Sequence, residues 1–304
     1  MSKYDDFAPV AAPSTASPWV DNTYKPDITR LEGLLSICAE GAKTWRPQEG
    51  GDLGTALDLW VADELRRAGY EADAVWPRRE DPRVLPAAIG SAMARLSSAD
   101  RESPAIQRLR ERAGAAAPVV LGEFFAKKVD VLVADWDRGV EIMVSTKAMT
   151  GSFGNNMNNR WEEFTGDLRN MRGRFPLAVL GIVYLADVAI LKEPNQFRRL
   201  LDMLRKLRME TLPSRAYDAT ALILANATGT GKATLAMGDV PTDLAPPQFF
   251  KQLLSMAWER LPISERATAR DLYGKTQLPT AEVEPSGAAE VPPSETRTGG
   301  SGPG

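Results

Sequence analysis

The sequence predicts an α/β protein in which a mixed sheet is flanked by helices. Continuous apolar segments at residues 177–186 and 219–225 are typical of buried central strands, and residues 129–147 are predicted to form a β-hairpin. Between these strands lie segments in which apolar residues recur at spacings of three and four, which indicates amphipathic helices. This alternation of helices and strands favours a layered α/β architecture.

Periodicity and helix-ending residues predict the other elements. Leu31 and Leu34 share a face of the first helix, and the second helix ends at Gly69. A short strand is predicted at residues 70–76, and residues 119–125 lead into the hairpin. The predicted helices cover residues 28–45, 54–68, 159–172, 195–207 and 247–261, with a helical pair within 77–117.

Composition divides the chain into a folded domain and two tails. Residues 1–25 are rich in Ala, Pro, Ser and Asp and lack periodicity, so they are predicted to form a disordered arm. Residues 276–304 are rich in Pro, Gly, Ser, Thr and Glu, which predicts a disordered tail. The α/β domain is expected over residues 26–275, a length that can bury a sizeable core.

The composition also excludes several kinds of chemistry. The chain has no histidine and one cysteine, Cys38. This excludes Ser-His-Asp and Cys-His nucleophile systems, zinc sites built on imidazole or several thiolates, and an internal disulfide. Carboxylates, lysines and hydroxyls remain, and they suit hard cations such as magnesium. The net charge of −3 leaves any DNA contact to local basic patches.

The sequence gives no sign of a membrane segment. No apolar run approaches the ~20 residues that span a bilayer, and the N-terminus lacks the apolar core of a signal peptide. Together with the single cysteine, these features predict a cytoplasmic protein.

Asp130 and Lys147 lie at one end of the predicted hairpin. Residues 129–134 and 140–147 are apolar and β-branched, and residues 135–139 have the composition of a turn. Counting outward from a turn near residues 138 and 139 makes Asp130 and Lys147 neighbours across an antiparallel pair. An acid and a lysine in apolar strands are costly unless they pair or bind a cation. The pattern indicates either a structural ion pair or a metal-dependent phosphodiester site.

This arrangement resembles the PD-(D/E)xK nuclease superfamily, which includes many type II restriction endonucleases. Asp130 matches the first acid of the family pattern and Lys147 matches its lysine, whereas Ser145 stands where the family has Asp or Glu. The resemblance covers roughly residues 50–186. It implies a restriction-endonuclease-like fold, Mg²⁺ as the cofactor and hydrolysis of DNA phosphodiester bonds, with Ser145 and Lys147 in the catalytic set. The lysine would stabilise charge or activate the attacking water.

The missing acid has a counterpart in a subgroup of restriction enzymes that this chain resembles. That subgroup has Ser-x-Lys on the strand and takes the carboxylate from the following helix. The resemblance therefore implies that Glu162 or Glu163 joins Asp130 as a Mg²⁺ ligand, with a carbonyl near Thr146 completing the shell. Glu141 is the alternative, but it is roughly 20 Å from Lys147 at the rise of a strand.

Two further groups of residues are candidates for the site. The family often has an acid on its first core helix, and Asp58 fits that position. Asn155, Asn156, Asn158, Asn159 and Arg160 follow the hairpin in a predicted flexible loop. Amides and guanidinium groups recognise base edges and phosphates, which predicts a DNA contact. Helix capping and turn formation by asparagine are the alternative explanation.

The expected partners follow from the predicted reaction. The substrate is expected to be double-stranded DNA, although the sequence does not decide between DNA and RNA. One site of this kind cuts one strand, so a homodimer is expected, and the apolar stripe of residues 248–261 is either its interface or a core contact. A cognate DNA methyltransferase is a further candidate partner. The alternative functions are a nuclease-fold protein that binds DNA without cutting it and an unrelated α/β assembly protein.

Overall fold

The computed structural model describes residues 3–39, 45, 52–78, 89, 92–93, 95–113, 118–135, 138–209, 216–229 and 231–261. The strands are β1 (Trp19–Val20), β2 (Thr23–Tyr24), β3 (Val75–Trp76), β4 (Val119–Leu121), β5 (Ala126–Lys128), β6 (Val131–Asp135), β7 (Gly139–Met149), β8 (Val179–Asp187), β9 (Ala219–Gly229) and β10 (Lys232–Leu235). The helices are α1 (Ile28–Ile37), α2 (Asp52–Arg67), α3 (Ser98–Arg101), α4 (Pro104–Ala113), α5 (Phe153–Arg174), α6 (Pro194–Arg208) and α7 (Pro246–Arg260).

Six strands form a mixed sheet in the order β10-β9-β8-β7-β6-β3. β7, β8 and β9 run parallel to one another, and the other neighbours are antiparallel. The side chains of β7 and β8 alternate between two apolar clusters. Val144 and Val183 pack with α1, α2 and α7 on one face, and Met143 and Tyr184 pack with α5 and α6 on the other. The predicted α/β class, a mixed sheet flanked by helices, is confirmed.

The central strands lie where the apolar segments predict them. β8 is buried along its whole length, as expected for a strand with helices on both sides. The strand predicted at 70–76 is shorter than expected, because β3 has only two residues there. Residues 119–125, which were expected to lead into the hairpin, contain the three-residue strand β4. α1 ends at Ile37, before the predicted end at residue 45, and residues 40–44 lie outside the described part of the chain.

The hairpin of β6 and β7 has a different register from the predicted one. Val131 pairs with Val144, and continuing this register by one residue places Asp130 opposite Ser145, two residues before Lys147. Val133 pairs with Ile142 and Ala134 with Val140, so β7 carries one extra residue, a β-bulge at position 141. The turn lies closer to the N-terminus than the sequence suggests, which accounts for the shift.

Residues 3–25 pack on the core, and the structure differs here from the predicted disordered arm. Phe7 and Tyr24 are buried, and Tyr24 stacks on Phe250 of α7 with ring centroids 4.9 Å apart. The Tyr24 hydroxyl donates a hydrogen bond to the carboxylate of Glu64 at 2.8 Å. Isolated aromatic anchors in a Pro-rich segment leave no periodic pattern, so the sequence did not reveal this contact. The domain extends at least to residue 3, and the predicted tail at 276–304 lies outside the described residues.

α5 begins earlier than predicted. The helix starts at Phe153, after Ser152 in the left-handed region with φ 51°, so positions 155–160 belong to its first turns and do not form a loop. Asparagine-rich sequence favours turns locally, but Phe153 and Met157 are buried in the core one helical turn apart. This tertiary contact outweighs the local preference.

α7 does not present its apolar stripe as an interface. Phe249, Phe250, Leu253 and Leu254 are buried, and they belong to the core cluster on one face of the sheet. The suggestion that this helix forms a dimer contact is therefore wrong for these four residues. The alternative, in which the stripe packs on the sheet, is confirmed.

Candidate functional site

Three consecutive residues of β7 place polar groups on both faces of the sheet. Thr146 points towards α2, because it continues the face of Ile142 and Val144. Ser145 and Lys147 continue the face of Met143 and point towards α5. β8 pairs with this part of β7 in parallel, so these residues lie beside a strand that is wholly buried.

On the α2 face, Asp58 is a buried carboxylate with three donors. It is 1% exposed, in a helix whose residues from Leu53 to Leu65 are otherwise mostly apolar. It accepts hydrogen bonds from the Thr146 hydroxyl at 2.5 Å, from the Lys3 ammonium at 3.0 Å and from the Tyr4 hydroxyl at 3.3 Å. The donors come from β7 and the N-terminal segment, so the packing of residues 3–25 is part of this site.

Thr146 links Asp58 to the second acid. Its backbone N–H donates to Oδ2 of Asp130 at 3.0 Å, while its hydroxyl binds Asp58. Burial, followed by the negative charge of Asp130, raises the pKa of Asp58 to about 7. The sequence predicted a role for a backbone carbonyl near Thr146. In the structure it is the N–H and the hydroxyl of Thr146 that contact the acids.

On the α5 face, Lys147 forms an ion pair with Glu163. The ammonium lies 2.9 Å from one carboxylate oxygen, and the guanidinium of Arg160 lies 2.6 Å from the other. Burial lowers the pKa of Lys147, but the charges of Asp130 and Glu163 outweigh it and leave this pKa above its usual value. Burial likewise raises the pKa of Glu163, but hydrogen bonds from Lys147 and Arg160 bring it below its usual value. Lys147 is therefore protonated at neutral pH.

A second ion pair lies one helical turn further along α5. The Lys127 ammonium is 2.5 Å from the carboxylate of Asp167, and burial raises the pKa of this acid. Both side chains line a small cavity with Ser145 and Tyr217. Ser145 thus shares this cavity with a helix carboxylate, that of Asp167, which was not among the predicted site residues.

The remaining predicted residues are not part of this cluster. Glu162 is exposed, so of the two candidate helix acids only Glu163 contacts Lys147. Glu141 pairs with Arg138 at the turn end of the hairpin, away from Lys147 as its spacing indicated. Asn158 accepts a hydrogen bond from Arg199 of α6 at 3.2 Å. Of the other predicted DNA-contact residues, Asn159 is exposed, and the side chains of Asn155 and Asn156 lie outside the described part of the structure.

The arrangement of the acids decides whether they could hold a metal ion. In the ranges that the structure describes, no three His, Cys, Asp or Glu side chains are grouped so that they could hold a metal ion. The predicted ligand set, Asp130 with Glu162 or Glu163, contains two carboxylates, so this result leaves it a prediction. Asp58 and Asp130 interact electrostatically, and Thr146 bridges the two carboxylates by hydrogen bonds.

Lys3, Tyr4, Lys127 and Asp167 are site residues that the sequence reasoning missed. A signal existed for Asp167, because it follows Glu163 by four residues and so shares its helix face. No sequence signal pointed to Lys3 and Tyr4, since they lie more than 50 residues from Asp58 in the chain.

Comparisons with known proteins leave the site to be interpreted from its own geometry. No family model, curated protein or solved structure matches this chain. Within the described residues, no helix has the length and hydropathy needed to cross a membrane.

Proposed function

We propose that this chain is a Mg²⁺-dependent DNA endonuclease with a restriction-endonuclease-like fold and a role in restriction or defence. The proposal rests on one observation. Thr146 hydrogen-bonds to both Asp58 and Asp130, and the next residue, Lys147, presents a protonated amine on the other side of the strand. Acids that meet at the end of a hairpin beside a lysine suit phosphodiester hydrolysis.

The two acids have the chemistry that Mg²⁺ requires. Mg²⁺ is commonly held by one or two carboxylates together with water and substrate phosphates, and it does not need a cage of protein ligands. Burial and the Asp130 charge make the ionised form of Asp58 costly, and the positive charge of a bound divalent cation would relieve that cost. Asp58 and Asp130 would hold the ion, which when bound supplies a Lewis acid for the phosphate.

Lys147 and the residues around it are proposed to stabilise the negative charge of the reacting phosphate. Lys147 is held in its protonated form by Asp130 and Glu163, which suits it to stabilise the negative charge that builds up on the phosphate. A lysine in this state is a poor general base, because it carries no lone pair near neutral pH. Glu163 and Arg160 position the amine, and the pair of Lys127 and Asp167 fixes the neighbouring stretch of α5.

The partners of this activity are part of the proposal. Double-stranded DNA is the substrate, and a homodimer is the simplest way for one site per chain to cut both strands. A DNA methyltransferase that modifies the same sequence would protect the host. These roles suit a cytoplasmic protein.

A cleavage assay tests the proposal. The purified full chain is incubated with plasmid DNA, linear duplex DNA and RNA of matched sequence, with Mg²⁺ or with EDTA. We expect Mg²⁺-dependent cuts in DNA that vanish in Asp130→Asn and persist in Asp135→Asn, a change of the acid at the other end of β6. DNA that stays intact with the wild-type chain over a broad panel of sequences would contradict the proposal.

A second candidate is a nuclease-fold protein that binds DNA without cutting it. This alternative is favoured by ion pairs within the chain, which already give the acids positively charged partners in place of a metal ion. Lys3 contacts Asp58, and Lys147 and Arg160 bind the two oxygens of Glu163. On this alternative, DNA binding is independent of Mg²⁺ and survives Asp130→Asn unchanged, with no cleavage by either form.

A further inference from the structure

The hairpin of β4 and β5 displays apolar side chains to solvent. Its two strands form a separate sheet outside the central one. Phe124 and Phe125, in the turn that joins them, are 58% and 49% exposed, and Val119 and Leu121 of β4 are also exposed. Contiguous exposed apolar groups of this kind often mark a contact with a partner.

The turn is held in place by a buried side chain. Asn170 of α5 is fully buried, and its side-chain oxygen accepts hydrogen bonds from the N–H groups of Phe124 at 2.8 Å and Phe125 at 3.1 Å. Its amide donates to the carbonyl of Phe125 at 3.0 Å, and its own carbonyl accepts from Glu123 at 2.9 Å. These four hydrogen bonds fix the backbone that carries the two exposed rings.

A glycine permits this close approach. A Cβ added at Gly122 would overlap the side-chain amide of Asn170, so a larger residue there would displace the hydrogen bonds that hold the turn. The hydrogen bonds thus hold the backbone of the turn in place, while Phe124 and Phe125 stay about half exposed. A rigid platform loses little conformational entropy when a flat ligand stacks on it.

The turn is bound by the same helix, α5, that carries Glu163 of the candidate site. Asn170 follows Glu163 by seven residues in α5, which corresponds to about 10 Å along the helix axis. Lys127, the middle residue of β5, also pairs with Asp167, which lies between Glu163 and Asn170 on α5.

The charged side chains around the Phe124 and Phe125 rings favour the binding of a polyanion. The guanidinium of Arg169 lies 5.3 Å from the centre of the Phe124 ring, and both Arg169 and Lys128 are exposed. Glu123 is the only acid in the sequence of the hairpin, residues 119–128. Aromatic rings beside exposed cations are the combination that binds single-stranded nucleic acid, through base stacking and phosphate contacts.

We propose that Phe124 and Phe125 form a stacking surface for a base that is unpaired in the bound DNA substrate. This inference rests on the proposed function, since it places the surface on the substrate of that reaction. The surface binds bases by their faces and so does not by itself select a sequence.

A fluorescence experiment tests the stacking surface. Duplex DNA with a short unpaired stretch carries the fluorescent base 2-aminopurine at successive positions, and EDTA prevents cleavage. With the wild-type chain we expect quenching at one or two adjacent positions. The double change Phe124→Ala with Phe125→Ala should remove the quenching and weaken binding roughly tenfold or more. The double change to tyrosine should retain both effects.

Met209→Ala is the matched control, because Met209 is an exposed apolar residue, 70% accessible, at the far end of α6. Quenching that is equal in the wild-type and double-alanine chains would overturn the stacking surface while leaving the nuclease proposal standing. A wild-type chain that binds no nucleic acid would overturn both proposals. A double-alanine chain that loses self-association in light scattering, with its quenching intact, would assign the rings to a contact between copies and overturn the inference.

Discussion

The ammonium of Lys3 lies 3.0 Å from the buried carboxylate of Asp58, which is 55 residues away in the chain. The contact joins the N-terminal segment to helix α2 at the point where Thr146 also binds. The lysine side chain is 46% exposed, so its charge reaches the acid from the solvent side. Under the proposed function, this ammonium competes with Mg²⁺ for the same carboxylate.

Removal of that competition is the first prediction. Lys3→Met should lower the Mg²⁺ concentration that gives half-maximal cleavage by several-fold, because the acid loses its resident positive charge. Lys25→Met, a change of an exposed lysine in the same segment, is the control and should leave the Mg²⁺ dependence unchanged. A half-maximal concentration that stays the same or rises in Lys3→Met would contradict the competition.

The second prediction concerns stability and pH. Burial raises the pKa of Asp58 to about 7, whereas the unfolded chain has the ordinary value near 3.8. The folded state therefore keeps the proton to higher pH, and the free energy of unfolding should fall as pH rises from about 4 to about 7. The contribution of this group is on the order of 4 kcal/mol, at about 1.4 kcal/mol for each tenfold difference in proton affinity between the folded and unfolded chain.

The variant Asp58→Asn isolates this effect, since an amide has the same shape and does not ionise. Urea unfolding at pH 5 and at pH 8 should show a smaller loss of stability in Asp58→Asn than in the wild-type chain. An equal loss in the two proteins would show that the pH dependence comes from other groups.

The third prediction addresses the hairpin pair. Asp130→Ala should abolish Mg²⁺-dependent cleavage, and Lys147→Ala should slow it by roughly 100- to 1,000-fold, because the charge that stabilises the phosphate is lost. Circular dichroism and DNA binding should remain close to those of the wild-type chain. Cleavage at the wild-type rate by either variant would remove these residues from the site.

The fourth prediction ranks the helix acids. Glu163→Gln should reduce the cleavage rate roughly 100-fold or more, since it removes the partner that positions Lys147. Asp167→Asn should have an intermediate effect through Ser145 and Lys127. Glu162→Gln and Glu141→Gln are the controls and should change little. A larger loss in Glu141→Gln than in Glu163→Gln would place the reaction at the turn end of the hairpin.

The fifth prediction is oligomeric. Light scattering with and without duplex DNA should detect a dimer under at least one condition, because one site per chain has to reach two strands. A chain that stays monomeric in both conditions and still makes double-strand breaks would refute the dimer.

The sequence was most informative where a pattern is long and periodic. The buried run of β8 and the amphipathic stripe of α6 are local signals, and the structure places both elements close to their predicted bounds. Lys147 and Glu163 also meet, because a helix that follows a strand returns over its end. These relationships require only local sequence and the common connection of a strand to the next helix.

Other features depend on contacts between distant residues. Lys3 and Tyr4 approach Asp58 through tertiary packing alone, and the Ala- and Pro-rich sequence around them does not predict this contact. The start of α5 depends on the burial of Phe153, which competes with the local preference of asparagine for turns. In such cases the tertiary contact decides, and a single sequence does not show the other partner.

The extra residue of β7 at position 141 keeps the later residues of the strand on their faces. Side chains alternate along a strand, so an added residue would turn every later side chain to the opposite face unless a bulge absorbs it. The bulge does so here, because Val133 pairs with Ile142 although Ala134 pairs with Val140. Deletion of Glu141 should therefore remove the bulge and leave Thr146 towards α2 and Lys147 towards α5. Deletion of one residue between Ile142 and Thr146 would instead exchange the faces of Thr146 and Lys147, so the position of a length change in this strand matters as much as its size.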